Sequence, residues 1–167
     1  MYNTTKLVAI YIYLEFMTFN LDTSIGYLLN RCTILLRIEV AKQFEAHGHD
    51  ITPEEWVVLN RLWQKDGQSQ NMVARSTIKD KTTVVRLIDR MQKKGLVVRR
   101  SSAEDGRVRE IYLTQNGKLL KGKLIPIAKQ VLEQGVAGIE APDLETTLLV
   151  LGKFEQNLLD LEQPHSS

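Results

Sequence analysis

One cysteine, Cys32, in 167 residues excludes an intramolecular disulfide framework and suits a reducing cytoplasm; it also leaves too few thiolates for a zinc site. Histidine is scarce, with only His47, His49 and His165. No Ser/His/Asp, Cys/His, paired-carboxylate or glycine-rich phosphate motif accompanies them, so neither catalysis nor a cofactor is expected. His47-Gly48-His49-Asp50 sets two imidazoles beside a carboxylate, but in a polar stretch that reads as a solvated turn and not as a metal site. Long apolar runs are missing as well. Residues 7–14 (LVAIYIYL) follow Lys6 like the start of a signal peptide, yet the run is well short of the ~18 apolar residues of a membrane span. Glu15 interrupts it and no small-residue cleavage pattern follows. Residues 1–20 are therefore expected to be an N-terminal extension, either a segment packed on the domain or residues ahead of a start at Met17. No membrane partner is expected.

Net charge is also small, 22 − 20 = +2, but it is unevenly spread. Residues 75–109 hold eleven Lys and Arg against four Asp and Glu, a balance of +7, which leaves −5 for the rest of the chain. A basic stretch on an otherwise acidic chain is the footprint of a surface that meets phosphates. With 43% hydrophobic and 25% charged residues, the composition is that of one ordinary globular domain.

Within the basic stretch, Val84, Val85, Leu87, Ile88 and Met91 recur at helical spacing, while Thr82, Arg86, Arg90 and Lys93 lie along the other side. Gly95 suits the positive φ that ends a helix, and Lys93 and Lys94 suit the negative end of its dipole. The period then changes. Residues 96–101 and 108–113 are short runs rich in Val, Ile, Tyr and Arg around SAEDGR, where Asp105-Gly106 signals a turn and Arg107 lies near the tip of a hairpin.

The flanking segments are helical. Residues 21–46 carry Ile25, Leu28, Leu29, Cys32, Leu35, Leu36, Val40 and Phe44 on one stripe, which predicts Cys32 as a small buried hydrophobe and not a redox sensor. Thr52, Pro53 and Glu55 form a capping box that starts a helix bearing Trp56, Leu59, Leu62 and Trp63, ended by Asp66-Gly67. The two tryptophans are expected mainly as core. Ser69 caps a short helix with Met72, Val73 and Ala74, and a break over residues 76–79 leads to the basic helix, giving a helix-turn-helix followed by a wing. Thr114 caps a long helix containing Pro126, where a kink or an already weak ladder is expected, and Ala141-Pro142-Asp143 starts the last helix. The fold class is thus mainly α with a small β-hairpin wing (α+β): a winged helix-turn-helix with long terminal dimerisation helices. The stripes of residues 21–46 and 115–161 are too long to serve as casing for so small a core, which predicts a homodimer with its recognition helices about 34 Å apart.

The order of these elements, with ITPEEWVVLNRL, DKTTVVRLIDRMQKKGLVVRR, the DGR of the wing and LTQNGKLL, resembles the MarR (multiple antibiotic resistance regulator) family of bacterial winged-helix repressors over residues 21–161. The resemblance implies one domain, 21–161, with a DNA-binding lobe at about residues 52–113 and dimerisation helices at about 21–46 and 115–161. It implies a homodimeric, sequence-specific regulator of double-stranded DNA, acting on a pseudo-palindromic operator as a repressor released by a small-molecule inducer. The recognition helix matches residues 80–95, the minor-groove wing arginine matches Arg107, and the acidic wing position matches Asp105. Cys32 lies about one turn from the sensor position of the family's peroxide-sensing branch. The implied ligand pocket would involve the first long helix, the Trp56 helix and the Thr114 helix.

Chemistry gives the remaining roles. Arg86 can make a bidentate contact to guanine, discriminating by about 1–3 kcal/mol, while Thr82 and Thr83 can meet thymine methyls or phosphates. Lys79 and Lys81 suit phosphates. Arg107 on a narrow hairpin suits an A·T-rich minor groove. Of Arg90, Lys93, Lys94, Arg99 and Arg100, at least half are expected to be a solvated basic face. The competing reading is a winged helix used as a protein-interaction module; its exposed helix face would carry apolar anchors in place of Thr82, Thr83 and Arg86.

Overall fold

A computed structural model of the chain describes residues 20–77 and 81–162. After a short 3-10 turn, Leu21–Thr23, come α1 (Ile25–Ala46), α2 (Pro53–Gln64), β1 (Gln68–Ser69), α3 (Gln70–Thr77), α4 (Lys81–Lys93), β2 (Val97–Ser101), β3 (Arg109–Leu113), α5 (Gln115–Gly135) and α6 (Ala141–Glu162). The chain divides into two compact units, residues 1–128 and 129–167, with α5 running across the boundary. Every helix and both wing strands expected from the sequence are present. Among the described residues no helix is long and apolar enough to cross a membrane. The segment 1–19, for which an extension was expected, lies outside the described residues.

Helix starts follow the capping chemistry. Ser24 Oγ accepts from the Tyr27 amide, Ser69 Oγ from Met72 and Thr114 Oγ1 from Gly117. At α2 the box is complete: the Glu55 amide donates to Thr52 Oγ1 at 3.2 Å and the Thr52 amide to Glu55 Oε2 at 3.0 Å.

The core of the first unit gathers Val40 and Phe44 of α1, Val58, Leu59 and Leu62 of α2, Val73 of α3, Val84, Leu87, Ile88 and Met91 of α4, Ile111 of β3 and Leu124 of α5. Phe44 meets Trp56 edge-on at 5.1 Å, and Trp56 meets Trp63 at 5.7 Å. Both tryptophans are half-buried. Trp63 Nε1 donates to the Gly117 carbonyl at 2.9 Å, which ties α2 to the start of α5. That approach is close: a Cβ on Gly117 would run into the Leu96 carbonyl oxygen, so only glycine fits.

Two features depart from the sequence expectations. The sheet has three strands, not two, in the order β1-β3-β2 and antiparallel throughout. Strand β1 is only Gln68 and Ser69, opposite Ile111 and Glu110, too short for any periodicity to register. Gln68 is buried there because its amide donates to the Arg61 and Lys65 carbonyls, which closes the end of α2. The second departure is Cys32, which is exposed. Most of the α1 stripe shares that fate: only Val40 and Phe44 of the helix are buried.

Candidate nucleic-acid interface

Helix α4 has two sharply different sides. Val84, Leu87, Ile88 and Met91 are at most 1% exposed. Thr82, Thr83, Arg86, Asp89, Arg90 and Lys93 are exposed. The 3.6-residue repeat brings Thr82, Arg86, Asp89 and Lys93 onto one face. Gly95 ends the segment at φ 66°, and the Leu96 amide bonds back to the Met91 carbonyl, so the chain leaves α4 directly into the wing. Lys79 falls outside the described residues. Lys81 begins α4.

Strands β2 and β3 pair from Val97 opposite Leu113 to Ser101 opposite Arg109. Beyond them, residues 102–108 form a broader tip than a two-residue Asp-Gly turn: Gly106 keeps a negative-region φ, and the loop is shaped by Asp105 instead. Asp105 Oδ1 accepts from the Arg107 amide at 2.9 Å, and the Asp105 carbonyl accepts from Val108 at 2.9 Å. The side-chain bond thus fixes the backbone that carries Arg107, which is exposed along with Asp105. Among the described residues, none of Arg86, Arg90 and Arg107 is drawn into an ion pair.

Three of the five cations weighed as a solvated face, Lys94, Arg99 and Arg100, have other work, which leaves Arg90 and Lys93, fewer than the half expected. Lys94 Nζ lies 2.9 Å from Oε2 of Glu55, whose carboxylate is fully buried, 3.0 Å from Asp50 Oδ2, and donates to the Asp50 carbonyl at 2.8 Å. Burial pulls the Lys94 ammonium down, but its bonds and attractions to Glu55 and Asp50 outweigh that and leave it above the ordinary 10.5. Arg99 of β2 reaches Asp89, Gln92, Val85 and Gln70. Arg100 stacks over the Tyr112 ring at 5.0 Å, and Glu110 accepts from the Tyr112 hydroxyl, which raises that phenol above its usual range. Sequence reasoning missed the ties of Lys94 and Arg99 because their partners are 7 to 44 positions away, and nothing in VVRRS, where the two arginines are adjacent, marks the one that turns inward.

Hollows in the first unit lie near the hinge of α1 and α2. One of about 610 Å³ is lined by Ile34, Arg37, Ile38, Ala41, Lys42, Glu45 and Pro53, and Arg37 pairs with Glu54 at its edge. Another of about 270 Å³ is lined by Asp50, Ile51, Lys94, Leu96 and Leu120 among others. The first involves the first long helix and the start of the Trp56 helix, but nothing from the Thr114 helix, and Trp56 lines neither. Among the described residues no cluster of His, Cys, Asp and Glu could hold a metal ion.

Comparison with known proteins places this geometry. A profile of the MarR family matches residues 49–108, from the loop before α2 to the wing tip. A probable transcriptional regulator from Pseudomonas aeruginosa is similar in structure at a TM-score of 0.72 and 26% identity, over 81% of this chain and 99% of that one. A MarR transcriptional regulator from Methanosarcina mazei Go1 gives 0.71 and 27%, over 80% and 96%. Bordetella bronchiseptica BpsR, whose DNA binding is regulated by 6-hydroxynicotinic acid, gives 0.73 at 22% identity, over 82% and 96%. The profile match over residues 49–108, the winged-helix topology and these neighbours together support a MarR-family winged-helix transcriptional regulator.

Proposed function

We propose that the protein is a sequence-specific DNA-binding repressor that works as a homodimer, with a lobe at about residues 52–113 contacting DNA and helices at about 21–46 and 115–161 pairing the two copies. The observation that carries the reading is the polar side of α4, where Thr82 and Arg86 stand exposed opposite a fully buried face, next in sequence to a wing with Arg107 at its tip. That helix enters a major groove. There Arg86 reads guanine, Thr82 and Thr83 meet thymine methyls or phosphates, and Lys79 and Lys81 meet phosphates. Arg107 enters the neighbouring minor groove, held there by Asp105.

Exposed apolar side chains support the dimer. On α1, Leu28, Ile34, Leu35 and Ile38 are 45–59% exposed, and on α6 Leu148, Leu149, Leu158 and Leu161 are 46% or more. Around residues 34–38, Ile34, Leu35, Leu36 and Ile38 cover more than half of the circumference of α1, with Arg37 on the rest, a band broader than a single core-facing stripe. The hollow beside Arg37 is suited to a small inducer, in line with the regulation of BpsR by a pyridine acid. Binding to a duplex of the gene's own upstream region, against a scrambled duplex across a salt series, tests the reading. Specific binding of a dimer is expected, with log K falling by about 0.9 per phosphate neutralised against log salt. No binding at low salt would transfer the wing to a protein-docking role.

A further inference from the structure

The guanidinium of Arg99 is the meeting point of three elements. It leaves β2, the first wing strand, and its Nη1 donates to Asp89 Oδ1 and to Gln92 Oε1, both at 2.5 Å. Its Nη2 donates to the Val85 carbonyl at 3.0 Å, and its Nε to Gln70 Oε1 of α3 at 3.3 Å. Val85, Asp89 and Gln92 are spaced i, i+4, i+7 and so line one flank of α4. The Arg99 side chain is only 22% exposed. All three of its nitrogens are occupied, in the planar fork that lysine lacks. An arginine engaged in this way has little left to give a phosphate.

We propose that Arg99 is a positioning residue for DNA reading: it clamps the wing to the flank of α4 and to the start of α3, so that the recognition helix and the wing tip meet DNA in one fixed register. The inference rests on the DNA-binding reading above. Arg99 carries its role through Asp89, and this gives the test a sign. Asp89 stands on the exposed side of α4, and replacing it by Asn makes the surface one unit more positive. A free arginine would then bind DNA more tightly; a clamp released from its anchor would read bases less well.

Wild type, Asp89→Asn, Arg99→Lys, Arg99→Gln and the Asp89→Asn/Arg99→Gln double variant are to be titrated with the upstream and scrambled duplexes across salt. Asp89→Asn should lose roughly tenfold in preference for the upstream duplex, the size of one misplaced base contact, with no loss on the scrambled one. Arg99→Lys should lose preference while keeping the salt slope, and the double variant should be no worse than Arg99→Gln alone. Tighter binding of the upstream duplex by Asp89→Asn would overturn the proposal. So would full preference in Arg99→Lys together with a slope reduced by about one in Arg99→Gln, the signature of a phosphate contact. If wild type binds no duplex even at low salt, the DNA reading fails by itself, and amide exchange decides the clamp. Arg99→Gln should then speed exchange in β2, in residues 85–92 and at the start of α3 together, and acceleration confined to β2 would sink it.

Discussion

Helices α4 and α6 are both amphipathic, yet they dispose of their apolar sides in opposite ways. In α4 the four residues Val84, Leu87, Ile88 and Met91 are sealed inside the first unit, 0–1% exposed. In α6, Leu148 is 62%, Leu149 73% and Leu161 80% exposed. The winged-helix lobe thus encloses its core within one chain, and what α4 leaves exposed is mainly polar and cationic, with Val85, expected on the buried stripe, the exception at 38% exposed. The last helix is unfinished as a fold element and exposes what folding ordinarily hides, as expected of a face that a second copy covers.

The largest effect should come from cutting into the completed part. Phe44→Ala removes a fully buried ring that packs edge-on against Trp56, and should cost about 3–5 kcal/mol in urea unfolding. Leu149→Ser, on the unfinished helix, should leave the stability of each chain within about 0.5 kcal/mol, as for ordinary surface positions. It should instead shift sedimentation toward monomer, more so when combined with Leu148→Ser. If the doubly substituted chain stays dimeric at micromolar concentration, the contrast between the two helices has no functional meaning.

A smaller loss is expected from Lys94→Met, which leaves the buried Glu55 carboxylate with the Thr52 amide but without its cation. Removing one partner of a fully buried pair costs about 3–5 kcal/mol, and here less, because Lys94 is 28% exposed. The pH dependence has a definite sign. The folded pKa of Lys94 is raised, so its contribution is fully present below the unfolded value of 10.5 and is lost as pH rises through the higher folded value. Wild type should thus lose stability in that alkaline range by an increment that Lys94→Met lacks. Below it, Thr52→Ala should cost about 1 kcal/mol, the usual value of a helix cap, through the box bond to Glu55.

How legible these features were depended on how local their causes are. The capping box at Thr52, the glycine at 95, the short runs rich in Val, Ile, Tyr and Arg that become β2 and β3, and most of the stripe of α4 all arise between residues a few positions apart, and the sequence displays them directly. Strand β1 escaped because two residues have no period. Cys32 was expected to be buried because a stripe marks which residues are apolar, not whether the surface that covers them belongs to the same chain. The ties of Lys94 to Glu55 and of Arg99 to Asp89 and Gln70 span 39, 10 and 29 positions. A string of arginines and lysines there reads as one basic face, although the fold has already neutralised two of them.

That partition sharpens the last and, for stability, smallest prediction. Arg86 and Arg107 are exposed and, among the described residues, outside every ion pair, so replacing either by alanine should move unfolding by less than about 0.5 kcal/mol. Their effects on DNA should differ in kind. Arg107→Ala should weaken binding to all duplexes that offer a narrow minor groove, whereas Arg86→Ala should also relax base preference in the major groove, by about 1–3 kcal/mol at one position of the site. The free cations would then be the ones that read DNA, and the tied cations the ones that hold them in place. Wild-type affinity and preference in both variants would break this division at its root, since charge left free by the fold would have no use on DNA.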